Sequence, residues 1–407
     1  MSDNALEELR RKEYALRRDV ARLRRLVYDQ PDPTASPELS DALAGAERAL
    51  LDAEQKRAEA QGPSAEGVIL DTRTETHLLG ADTTGLEARV ELRMEFVPTA
   101  IAHLLTPATD PLVRCWVKSA DSSATRRLRV TASVEGYAPP AVETVELRPL
   151  TEHTFDLLPV FDRERTQNVN ELTRATLTVL VEDLDGRVEL HRSIAIWLLA
   201  RTCAPLAVRD PSTGGWRDMT PYFGAFVTPN TPEIMRFART AANHHPGKAL
   251  AGYQGERDAV EPQVAAIFDA LKSDANVTYV NSVIAFSPDE GSSTQRVRLP
   301  RESLEDGQAN CIDGTVLFAS LLEAVSLSPA IVVVPGHAFV AWETWDESDD
   351  WRYVETTMIN AHTFEQASES AAKTANHYAG VDGGNTRQFR RWPLRTLRSS
   401  LRITPME

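Results

Sequence analysis

The chain has 407 residues, 42% of them hydrophobic and 25% charged, with 44 basic against 59 acidic side chains and a formal charge of -15. That length suits two to three domains, and the balance fits a globular chain rather than a disordered one. The acidic excess argues against nucleic acid or a membrane surface as partner, because both need a basic field.

No run of about 18 apolar residues is present. The charged start MSDNALEELRRKEY lacks a signal-peptide core, so the chain is read as cytoplasmic. Arginine outnumbers lysine and alanine is abundant, which points to a bacterium with a GC-rich genome. Cys115, Cys203 and Cys311 lie far apart, and none belongs to a C-x-x-C pair, so neither a disulfide framework nor a zinc knuckle is indicated.

In chain order, residues 1–62 read as a helical hairpin. Leu6, Leu9, Leu16, Val20, Leu23 and Val27 follow heptad spacing, and Pro31 and Pro33 end the run. A second helix starts near Pro37, with Leu39, Leu43, Ala46, Leu50 and Ala53 on one stripe. The hairpin either docks on the body as a solvated element or serves as a coiled coil for self-association or a protein partner.

Over 66–203 the period changes to two. ARVELRMEFV places Val90, Leu92, Met94 and Phe96 on one face of a strand, and RLRVTASVEGY places Leu128, Val130, Ala132 and Val134 likewise. Two later strands flank Asp185-Gly186, a dipeptide suited to a tight hairpin turn. Many short alternating strands predict an immunoglobulin-like β-sandwich. The scattered His77, His103, His153 and His191 carry no chemistry there.

Helical spacing returns in 205–407. TPNTPEIMRFARTAA offers an Asn or Thr cap with Pro232 in the first turn. Val260, Val264, Ile267, Phe268 and Leu271 define a second helix. His244 and His245 sit in a loop between the two with no third ligand in view, so no metal site is assigned. The chain as a whole is expected to be multidomain α+β.

The chemistry-bearing set is in this last part. In NCIDGTVLFASLLEA, Cys311 opens an apolar helix with Leu317, Leu321 and Leu322 on its buried side. A cysteine at a helix N-terminus faces unpaired N–H groups and the positive end of the dipole, which favour thiolate. In AIVVVPGHAFVAWE, Pro335 and Gly336 interrupt a buried strand and His337 follows. An embedded histidine must satisfy both ring nitrogens, and one could face Cys311 as a base. The next strand, DWRYVETT, carries Glu355, and a buried carboxylate needs a partner such as His337.

These three blocks resemble the transglutaminase-like superfamily, a papain-type cysteine fold, over roughly Gln295 to Met358. The resemblance implies Cys311 as nucleophile, His337 as general base and Glu355 as the group that orients the imidazole, where the family usually has aspartate. The oxyanion donors would be the Cys311 N–H with the amide of Gln308 or Gln295. The implied chemistry is acyl transfer on a protein or peptide substrate without a cofactor: hydrolysis of peptide or isopeptide bonds, or, as alternatives, protein cross-linking or a non-catalytic scaffold. No calcium loop of the D-x-D-x-D-G kind is present.

Overall fold

The computed structural model describes residues 73–79, 86–119, 124–184, 187–209, 216–280, 294–334, 336–379 and 389–406, with isolated helical positions between 11 and 49. The pairing of helices expected in 1–62 and the turn at 185–186 lie outside the described residues. The chain is mixed α+β with several sheets, and no helix among the described residues is long and apolar enough to cross a membrane.

The first strands in chain order are β1 (Arg73–Leu79), β2 (Leu86–Leu92), β3 (Phe96–Pro98), β4 (Val113–Ser119) and β5 (Arg126–Val134). After them come β6 (Ala138–Leu147), β7 (Glu152–Leu157), a single helical turn α1 (Arg163–Thr166), β8 (Thr173–Asp183) and β9 (Arg187–Leu199). They form a four-stranded sheet, β1-β2-β4-β7, and a five-stranded one, β3-β9-β8-β5-β6. Strand alternation sends Val90, Val117 and Phe155 from the first sheet and Val130, Val179 and Ile196 from the second into one buried cluster.

The stretch around Val90 to Phe96 is one strand by periodicity but two in the structure. β2 stays in the first sheet, whereas Phe96 pairs in parallel with Trp197 in the second. The crossing occurs at residues 93–95, where Arg93 donates to Glu91 at 2.6 Å and compensates a carboxylate-bearing residue only 8% exposed. Alternation cannot reveal such a switch, because Met94 and Phe96 stay buried on either path.

Three short strands follow: β10 (Cys203–Pro205), β11 (Ala207–Arg209) and β12 (Trp216–Asp218). Helix α2 (Pro232–Ala241) has Thr231 as its N-cap and Pro232 in its first turn, with no side-chain cap bond. Helix α3 (Val260–Ser273) buries all five apolar residues that its spacing singles out. Next in order are β13 (Thr278–Tyr279), β14 (Thr294–Arg296), α4 (Pro300–Asp306), β15 (Gln308–Ala309) and α5 (Cys311–Ala324).

Helix α5 is buried from Ile312 to Leu322, on every side rather than on one stripe. Burial around the whole circumference is that of a central helix. It packs against a sheet of order β18-β17-β16-β19, built from β16 (Pro329–Val334), β17 (His337–Glu343), β18 (Trp351–Val354) and β19 (Arg390–Pro393). Ala338, Val340 and Trp342 share the core of α5, while Phe339 and Ala341 face Ala371 and Ala375 of α6 (Phe364–Ala379) on the other side. A last helix, α7 (Leu394–Ser399), precedes the C-terminal residues.

Candidate active site

Cys311 is the first residue of α5 and is half-buried, whereas Cys115 and Cys203 are buried in the core. Asn310 caps the helix: its side chain accepts from the Asp313 N–H at 2.8 Å, and Asp313 returns the bond to the Asn310 N–H at 3.1 Å. This capping box uses two backbone donors and leaves the N–H groups of Cys311 and Ile312 in the helical turn that has no intrahelical acceptors.

His337 starts β17 directly after a hairpin turn. Val334 pairs with His337, so the apolar run is two antiparallel strands joined by two residues rather than one interrupted strand. Gly336 takes φ 70°, a left-handed conformation that disfavours any side chain. The sharp turn holds the imidazole at the end of the sheet, over the start of α5.

Glu355 lies one residue beyond β18, as the N-cap of a short 3-10 turn (Thr356–Met358), and not within the strand as its apolar neighbours suggest. Its Oε1 accepts from the Thr357 N–H at 3.0 Å and the Thr357 hydroxyl at 2.7 Å. Its Oε2 is 2.6 Å from His337 Nε2. With Nε2 so engaged, the ring also stands beside Cys311, which helps to raise the pKa of the imidazole.

Burial alone would lower the pKa of His337, but the Glu355 charge and the hydrogen bonds to Cys311 and Glu355 overcome it and raise the value to about 10. Burial pushes Glu355 up and the His337 charge pulls it down; the net direction is down, helped by the Thr357 bonds. Both side chains are nearly enclosed, at 11% and 6% exposure. The pair is therefore an imidazolium–carboxylate couple at neutral pH, with the ring placed to hold a proton beside the sulfur.

The two glutamines are placed differently. Gln308 is in β15 with its Nε2 donating to Asp306 at 3.4 Å, and Gln295 is in β14 with its Nε2 donating to the Arg296 carbonyl at 2.8 Å. Neither amide is directed at Cys311 by these bonds. His244 bonds Asp274 through Nε2 at 2.6 Å.

Sequence reasoning passed over Asn310, Asp313, Thr357 and Gly314. The pattern N-x-x-D before an apolar run was a legible capping signal, whereas nothing in the sequence marks Thr357. Gly314 lets the Glu355 turn sit on α5: a Cβ there would lie 2.8 Å from Thr356 Oγ1 and 3.0 Å from Thr356 Cβ. Gly314→Ala is therefore expected to cost about 1–3 kcal/mol by overpacking and to displace the turn that carries Glu355. Thermal melting and Cys311 reactivity check this, and a variant matching wild type in both would contradict the tight seating.

No family model matches the sequence, and the search of curated proteins finds no match. Among solved structures, the chain is similar to a crystal structure of red sea bream transglutaminase at 10% identity and a TM-score of 0.21. The similarity covers 61% of this chain and 48% of that one, so this chain spans about half of the enzyme it is compared with. A likeness at that score carries no mechanism.

Proposed function

We propose that the protein is a cysteine-dependent acyl-transfer enzyme, a peptidase or amidase that hydrolyses peptide or isopeptide bonds. The observation that carries this reading is the 2.6 Å contact between His337 Nε2 and Glu355 Oε2, on a ring that stands beside Cys311 at a helix start. On this reading residues 205–407 are a transglutaminase-like, papain-type domain. An immunoglobulin-like sandwich over 66–203 and a helical hairpin over 1–62 precede it.

The Cys311 thiolate attacks the substrate carbonyl, and the C–S bond forms as the carbonyl electron pair moves onto oxygen. His337 gives its proton to the leaving amine as the C–N bond breaks, which leaves a thioester. The imidazole then takes a proton from water as the resulting hydroxide oxygen bonds the thioester carbon; the C–S bond breaks, the acid leaves, and the Cys311 thiolate and imidazolium are restored. Glu355 holds the ring in the orientation both transfers need.

Incubation with a casein-like protein and a fluorescent primary amine tests the assignment. New N-termini that appear with wild type and not with Cys311→Ala support hydrolysis. Amine incorporation that depends on Cys311 replaces hydrolysis with transamidation. Neither product, together with a Cys311 no more reactive than Cys115 or Cys203, sinks the enzyme reading.

A further inference from the structure

The acyl transfer described above makes no use of Asp313, although its carboxylate is 1% exposed and lies two residues from the nucleophile. Its Oδ1 accepts from the Arg298 N–H at 2.6 Å and its Oδ2 from the Asn310 N–H at 3.1 Å. The Arg298 guanidinium, 3.7 Å from Oδ2, also donates to the Gln308 carbonyl at 3.3 Å. Asn310 is thus tied to Asp313 through both its N–H and its side chain.

Between those ties and Cys311 the remaining soft backbone torsion is ψ of Asn310, at -171°, and this torsion aims the Cys311 N–H. An N-cap partner does not need to be buried to close a capping box, and burying a carboxylate is costly unless it is fully bonded. Burial accordingly pushes Asp313 above the usual carboxylate range. The structure carries that cost at the residue that fixes the peptide in front of the sulfur.

We propose that Asp313 is a positioning residue that, through Asn310, holds the Cys311 N–H as the oxyanion donor. The inference rests on Cys311 being an acyl-transfer nucleophile, and two reagents separate the two ideas. With p-nitrophenyl acetate, the thiolate forms a C–S bond, the carbonyl pair moves onto oxygen, and collapse of that oxyanion expels p-nitrophenolate. With iodoacetamide, the thiolate displaces iodide at carbon and no oxyanion forms.

In the full chain, Asp313→Asn is expected to slow the p-nitrophenolate burst by about 10²-fold, the size of a lost oxyanion donor, while alkylation of Cys311 keeps the wild-type rate. Asn310→Gly removes the side-chain half of the clamp with a residue that N-caps tolerate, and it should show the same split if Asp313→Asn does not fold. Acylation and alkylation falling together, or acylation unchanged, overturns the role of Asp313 and leaves the nucleophile intact. Alkylation of wild-type Cys311 no faster than that of the buried Cys115 and Cys203 instead removes the nucleophile, and the inference with it.

Discussion

Alanine in place of His337 is expected to slow alkylation of Cys311 at neutral pH and to lower turnover by about 10²–10⁴-fold, the usual contribution of a positioned acid–base group. The ring is the charged group beside the sulfur, so its loss leaves the nucleophile without its base and without the neighbouring positive charge. Cys115 is the internal standard: it is fully buried, and burial pushes its thiol up to about 12. Burial also raises Cys203. In the wild type, iodoacetamide should therefore mark Cys311 first, as peptide mass spectrometry would show.

The substitution also leaves Glu355 enclosed without its partner, which costs about 3–5 kcal/mol when a buried pair is broken. Unfolding and loss of the base have separate signatures. An unfolded variant labels all three cysteines quickly, whereas a folded one that has lost the base labels Cys311 slowly and the other two hardly at all. Labelling of Cys311 in folded His337→Ala at the wild-type rate would remove His337 as the activating group.

The fold was legible where one physical pattern dominates. Alternation marked the buried residues of β5, Leu128 to Val134, and helical spacing marked the five buried positions of α3. It failed where a competing requirement decides the path. The chain leaves one sheet for the other between Leu92 and Phe96, and both routes bury the same side chains. The run around Pro335 and Gly336 read as one interrupted strand rather than a hairpin because β16 and β17 are both apolar and buried nearly throughout, so only their antiparallel pairing tells them apart.

At the site, residue types at the start of a helix and beside a buried strand pointed to Cys311, His337 and Glu355 before any geometry was known. The supports were less legible because they are backbone contacts. Thr357 matters through an N–H as much as through its hydroxyl, and Arg298 reaches Asp313 from 15 residues away. No spacing rule encodes a bond of that kind.

Replacing Glu355 with glutamine should keep the shape and remove the charge, and the effect is read along the pH axis. In the wild type the imidazolium persists to about 10, so the alkaline limb of activity belongs near that value. Without the carboxylate, the raising influence of Glu355 disappears and the limb moves toward the ordinary histidine value of 6.5. One pH unit above its pKa only about a tenth of an imidazole stays protonated, so activity on the alkaline side of neutrality drops by roughly tenfold or more.

Stability follows the same sign. His337 has a raised folded pKa, so its contribution is full below 6.5 and is lost as pH rises through about 10. Glu355 has a depressed one, so its contribution is present above the usual 4.5 and is lost as pH falls through its lower folded value. The pair's contribution is thus full between 4.5 and 6.5 and fades on either side, toward about 10 above and the depressed Glu355 value below, and Glu355→Gln should flatten the pH dependence of the melting temperature across that range. Asp349→Asn is the control: its side chain is 87% exposed, bonds Trp351 at 2.7 Å and makes none of these contacts. Equal pH–rate profiles for Glu355→Gln, Asp349→Asn and wild type would show that the carboxylate neither charges nor orients the imidazole, whatever its distance from the ring.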